Sequence, residues 1–321
     1  MTRKKQVGFS LIETLVALAV LFAVGGIVMS GMVQLMKTQG TIANRTDMHT
    51  SVRSATELLQ QEIGQAGRVS LASPTANVTL SAAVLAGAGA TAFTLIASDN
   101  SAVTVYQNEV LTVDLGATQE VVTLASGSGA SGTALFQNPH AAGAPVSVLG
   151  AFATGIVPPG AAAPNSPGSS GTVLKLYGDI NGDGNMVYVE YVCTPGTAAA
   201  PGNLYRNQMS ITAGAKAAVD NTMILLNNVL TNPNDPIGNP VPCFTYQVQA
   251  LGAGTCVTDV AVTLTVQTQN KDPQTGQFQQ ETKALLNVSP RNVVEVYDTA
   301  SLTDPLRAQV IPPSVSALLG P

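Results

Sequence analysis

Residues 4–36 read KKQVGFSLIETLVALAVLFAVGGIVMSGMVQLM, a run in which one side chain stands apart. From Phe9 to Met36 nearly every residue is apolar or small, yet Glu13 sits near the front. Residues 14–36 carry no charge, and a membrane-spanning helix needs about 20 predominantly apolar residues. Arg3, Lys4 and Lys5 precede the run, which by the positive-inside rule places the N-terminus on the cytoplasmic side. Three readings open here. A secretory signal would end in a small-x-small cleavage site, for which Ala23-Val24-Gly25 is the candidate. A plain signal anchor would stay uncut. Both leave Glu13 unexplained, because a carboxylate at the edge of the hydrocarbon is costly and points to a functional partner.

The third reading accounts for it. The stretch from Lys4 to Glu13 resembles the class III signal of type IV prepilins and type II secretion pseudopilins. In that family a short basic leader ends in glycine and is cut on the cytoplasmic side. The new first residue, usually phenylalanine, is then N-methylated, and the fifth is glutamate. Here Gly8 precedes the cut, Phe9 becomes the methylated first residue, and Glu13 falls fifth. The resemblance implies a leader at 1–8 and a prepilin peptidase/N-methyltransferase. It also implies an inner-membrane assembly platform and other pilin or pseudopilin subunits as partners. It places the head in the bacterial periplasm and the assembled chain in a filament. A buried carboxylate is tolerable when an opposite charge meets it. The resemblance supplies that charge: the Phe9 amine of one subunit would face Glu13 of the next.

The residues beyond the apolar run suit a long helical spine. No proline appears before Pro74, and Val52, Ala55, Leu59, Ile63 and Ala66 recur at three- and four-residue spacing. Arg45, Arg53, Glu57 and Glu62 fall mostly off that stripe. A spine over 9–67, with its membrane segment at about 14–36, would run roughly 85 Å at 1.5 Å per residue. Gly25, Gly26 and Gly31 would soften it.

From Val69 the period changes to two. AFTLIA (92–97), AVTVYQ (102–107), EVLTVDL (109–115), QEVVTLA (119–125), TVLKLYGD (172–179), VYVEYV (187–192), FTYQVQ (244–249) and DVAVTLTVQT (259–268) read as strands of an antiparallel head over 68–299. Residues 151–171, 194–203 and 231–242 are rich in Pro, Gly, Ala and Ser and read as loop insertions. NTMILLNNVL (221–230) suits a short helix or a strand. The proline-bearing tail, 300–321, is expected to be poorly ordered. The expected fold class is α+β, and the resemblance implies a type IV pilin-like spine packed on an antiparallel β head. The series DINGDGN, VYVEYV, NLYRN (203–207), LLNNVL, DVAVTLTVQT and NVSPRNV (287–293) looks like the larger PilW-type minor pilins and the related GspJ-type pseudopilins. That implies a minor subunit priming or capping a type IV pilus. A secretion pseudopilin is the alternative, and an anchored binding module that never polymerises is the second.

Two features of the head bear on chemistry. DINGDGNMVYVE, residues 179–190, fits the calcium-loop pattern: Asp179, Asn181 and Asp183 at positions one, three and five, Gly184 at six and Glu190 at twelve. The flanking residues read as strands rather than helices, so a hairpin turn built from Asp, Asn and Gly is the competing account. Of three cysteines, Cys243 and Cys256 are the expected disulfide, closing a short loop. Cys193–Cys243 competes with it.

Composition closes other doors. The balance of 14 basic to 19 acidic residues leaves no basic patch for a phosphate backbone, so nucleic acid is not indicated. There is no G-x-S-x-G, no H-E-x-x-H and no Walker loop, and GSGASG (127–132) lacks the lysine of one. His49 and His140 read as surface residues. The expectation is a non-enzyme.

Overall fold

A helix of 55 residues opens the structure, a computed structural model that describes residues 10–67, 78–100, 102–103, 105, 107, 109–148, 155–163, 166–183, 186–211, 213–251, 254–293 and 313–320. The helix, α1, spans Leu11–Gln65. It stops at Gly67, whose φ of 80° is the left-handed turn that glycine adopts without a Cβ penalty. There the Gly67 N–H donates to the Tyr177 carbonyl. A Cβ on Gly155 would meet the Gly67 nitrogen at 2.1 Å, so only glycine lets the helix end approach this closely.

The chain divides into two compact units, Met1–Thr50 with Gln267–Gln280, and Ser51–Val266 with Glu281–Pro321. In the second unit the expected stripe of Val52, Ala55, Leu59, Ile63 and Ala66 is buried throughout. Glu62, expected off the stripe, is buried with it.

The β head holds a barrel and a separate sheet. β1 (Val78–Leu80), β2 (Thr91–Ala97), β3 (Val110–Val113), β4 (Glu120–Ser128), β5 (Ser131–Ala134) and β6 (Pro145–Val148) close into an antiparallel barrel in the order β1-β2-β5-β4-β3-β6. Inward alternation drives it: Phe93, Leu95, Leu111, Leu124 and Phe136 fill its core. Of the expected strand at 102–107, the described residues 102, 103, 105 and 107 are not strand. A small hairpin, β7 (Ala161–Ala163) and β8 (Ser166–Pro167), lies within the expected 151–171 insertion.

After the barrel strands in chain order comes a seven-stranded antiparallel sheet. It contains β9 (Val173–Gly178), β10 (Val187–Thr194), β11 (Gly202–Ser210), β12 (Ile224–Leu230), β13 (Phe244–Leu251), β14 (Gly254–Gln267) and β15 (Gln280–Val288). Residues 221–230 resolve into a 3-10 turn at Asn221–Met223 followed by β12. The 194–203 stretch closes the β10–β11 hairpin, and 231–242 connects β12 to β13. β9 and β10 are buried on both faces, which is why they read as nearly unbroken apolar runs.

Two expectations are corrected. The tail is not loose where it is described: Pro313–Leu318 forms a short helix, α2, with Val315, Leu318 and Leu319 buried against Tyr177, Met186, Tyr188 and Ile211. Residues 300–312 lie outside the described residues. The disulfide joins Cys193 to Cys243, not Cys243 to Cys256. The β13–β14 register explains this. The Thr263 N–H donates to the Cys243 carbonyl, and Cys256 lies seven residues along β14, about 23 Å away at 3.3 Å per residue. Cys256 is a buried free thiol whose pKa is pushed up to about 11 by burial.

Candidate functional site

The first turn of α1 holds the carboxylate that stands apart in the apolar run. The Ser10 N–H donates to Glu13 Oε2 at 3.0 Å, and the Glu13 N–H donates to Ser10 Oγ at 3.3 Å. This is a reciprocal capping box, in which both otherwise orphaned N–H groups find acceptors. Ser-x-x-Glu was readable at 10–13, so a local role for Glu13 was legible beside the intermolecular one. Gly8 and Phe9 lie outside the described residues.

Beyond the cap, every residue from Leu11 to Lys37 is exposed. Leu11, Phe22, Ile27 and Met36 are among the large apolar side chains left open, and nothing lies within 4 Å of a Cβ built on Gly25, Gly26 or Gly31. The stretch is long and apolar enough to cross a membrane. A helix that is apolar all round is stable only when something else covers it.

Farther along, Glu62 fixes the second part of the helix to the sheet. It accepts the Tyr191 hydroxyl at 2.5 Å from β10 and a forked pair of donors from Arg206 on β11. Arg206 also donates to Gln208 Oε1 at 2.6 Å. Burial first, then the Glu62 carboxylate, pushes the Tyr191 phenol up and keeps it a donor.

The calcium-pattern residues do not converge. Asp179 and Asp183 sit in the β9–β10 turn, where the Asp183 N–H donates to Asp179 Oδ1 at 3.0 Å and Gly182 is left-handed. Asn181 is exposed beside them, and Gly184 lies outside the described residues. Glu190 is carried up β10, opposite Lys175, about 10 Å beyond the strand's first residue. It accepts the Tyr188 hydroxyl at 2.7 Å and Lys216 Nζ at 3.1 and 3.2 Å. Lys175 Nζ, 3.9 Å away, donates to the carbonyls of Pro167 and Leu319. Among the described residues no group of three His, Cys, Asp or Glu is placed to hold a metal ion.

Compared with family models, curated proteins and solved structures, the chain matches none. Its own residues carry the functional reading.

His140 is the largest departure from expectation on the head. Its ring is fully buried at the barrel's end, with Nδ1 3.1 Å from Asp114 Oδ2 and Nε2 2.6 Å from Glu120 Oε1. Each ring nitrogen thus faces a carboxylate oxygen. Its backbone is pinned to Val84 in both directions. The His140 hydrogen bond, then the Leu115 N–H and the Thr118 hydroxyl, hold the Asp114 carboxyl below its usual range. Burial raises Glu120, but His140 and the N–H groups of Gln137 and Asn138 outweigh it and lower that carboxyl too. Depressed carboxyls contribute stability above their unfolded pKa near 4, and that contribution is lost as pH falls through the folded values. The barrel should therefore melt at lower temperature as pH drops below about 4. His140→Gln should flatten that acid limb in calorimetry. An equally steep limb in the variant would place the titration elsewhere.

Proposed function

We propose that the protein is a filament subunit of the type IV pilin class, made as a prepilin and held in a membrane by α1 until it assembles. The exposed apolar run from Leu11 to Met36, opened by Glu13 and continuing into a helix packed on a β head, carries the reading. Among the described residues nothing covers that run, whereas a bilayer first and neighbouring helices later would both cover it. Priming or capping of a pilus, or work in a secretion pseudopilus, would use the same surface. Its partners would be other subunits, the prepilin peptidase and the inner-membrane platform.

Intact-mass and N-terminal peptide analysis from the native membrane tests processing. A start at Phe9 carrying one added methyl group is expected, and a start near Gly26 or an uncut leader would overturn the proposal. Glu13 variants test assembly. Glu13→Gln keeps a side-chain acceptor for the cap and loses the charge, while Glu13→Ala loses both, the cap being worth about 1 kcal/mol. The filament reading expects both variants to stay in the membrane fraction and fail to assemble. If Glu13→Gln assembles and only Glu13→Ala fails, Glu13 is a helix cap. If both work normally, the chain is an anchored module.

A further inference from the structure

We infer that the loop joining β14 to β15 contacts phospholipid headgroups beside the point where α1 leaves the bilayer. The inference rests on the membrane reading of α1. Thr38 is the first residue after Leu11 that is not fully open, and it is this loop that meets it. Gln274 Nε2 donates to Thr38 Oγ1 at 2.9 Å, and Thr41 Oγ1 donates to Asp272 Oδ1 at 2.5 Å. A Cβ on Gly40 would stand 3.0 Å from Pro273 Cγ, so the helix and the loop are in close contact.

The position along the helix decides the partner. Residues 14–36 carry no charge and rise about 34 Å at 1.5 Å per residue, about 4 Å more than a core of about 30 Å. With that excess shared between the two ends, Met36 stands about 2 Å past the core and Thr38 about 3 Å farther. Subtracting a core of about 30 Å from a bilayer of about 40–45 Å leaves a headgroup layer of about 5–7 Å on each side. The near edge of the loop thus falls inside that layer.

The chemistry suits it as well. Asp272 is the loop's only carboxylate, and it is occupied by Thr41, the Gln274 N–H, Thr275 and Gln279. Those donors hold its pKa down to about 2. The outward charges at this level are Lys37 and Lys271, both exposed, and Lys271 Nζ lies 5.7 Å over the Phe278 ring. Ammonium groups beside an aromatic ring are what the phosphate layer of a membrane accepts. Arg45 and Asp47 lie on the next turns of α1 and offset each other.

The chain has no tryptophan, so each introduced one is a single reporter. Phe278→Trp, Gln269→Trp and Val28→Trp would be made separately in the full chain and reconstituted in phosphatidylcholine–phosphatidylglycerol vesicles. The lipids would be brominated either near the glycerol or near the chain ends. The expected result is loss of Val28→Trp emission with deep bromine. Both loop reporters should lose emission with shallow bromine and keep it with deep bromine. Quenching of Val28→Trp with neither loop reporter quenched overturns the headgroup contact alone. An unquenched Val28→Trp overturns the membrane reading beneath it.

Discussion

Replacing Glu62 by alanine should weaken the second unit by about 3–5 kcal/mol, the cost of leaving a buried charge without its partner. The carboxylate is buried, and its two oxygens serve a guanidinium and a phenol drawn from adjacent strands. Removing it strands both donors beneath the helix. Arg206 is partly open, so the low end of the range is the better expectation. The effect would appear as a lower denaturation midpoint in detergent, followed by far-ultraviolet circular dichroism. A second variant separates charge from packing. Glu62→Leu with Tyr191→Phe and Arg206→Met replaces the whole network by apolar groups, and such replacements are often neutral. It should recover most of the loss. If the combined variant is as weak as Glu62→Ala, the network matters through shape rather than charge. The contact ties the last turns of α1 to β10 and β11.

Glu62 also shows what the sequence could and could not reveal. The apolar stripe was legible, because Val52, Ala55, Leu59, Ile63 and Ala66 repeat at helical spacing and nothing nearby breaks a helix. By that same spacing Glu62 belongs with Leu59 and Ala66. Its charge argued it outward, because its partners lie far off at 191 and 206, beyond the reach of any local pattern. The burial of His140 is hidden for the same reason: Asp114 and Glu120 meet it only once the barrel brings β3, β4 and the segment before β6 together. Barrel closure depends on Val78 pairing with Val146, a non-local contact that period-two alternation cannot encode. The hairpins were easier, since β9 and β10 meet across a turn whose Asp, Asn and Gly are visible in the sequence. The calcium pattern failed to gather because those residues specify a turn equally well, and the strand conformation carries Glu190 away from it. The start of α1 is legible by type and spacing, and Ser10 three residues before Glu13 spells a local cap beside the longer-range role.

Substituting both Cys193 and Cys243 by alanine should cost about 4 kcal/mol, the chain-entropy value for opening a loop of 50 residues. The bond ties β10 to the start of β13, two strands that are not neighbours in the sheet, so it spans what the ladder hydrogen bonds do not. Cys256→Ala should cost far less, since it removes one small buried side chain and opens no loop. A rival pairing of Cys243 with Cys256 would reverse that ranking for Cys193, making Cys193→Ala the mild change. Peptide mapping decides the point before any unfolding curve. Trypsin cuts after Lys175, Arg206, Lys216 and Lys271, with no basic residue between Lys175 and Arg206 or between Lys216 and Lys271. Cys193 therefore lies in fragment 176–206, and Cys243 and Cys256 share fragment 217–271. Digestion without reductant should yield these two fragments covalently joined. A further cut among Phe244, Tyr246 and Leu251 should leave the link on the side that holds Cys243. Two separate fragments, with no free thiol in 217–271 and one in 176–206, would overturn the pairing. The stabilisation would then belong to the β13–β14 hairpin alone, and β10 would have no covalent tie to it.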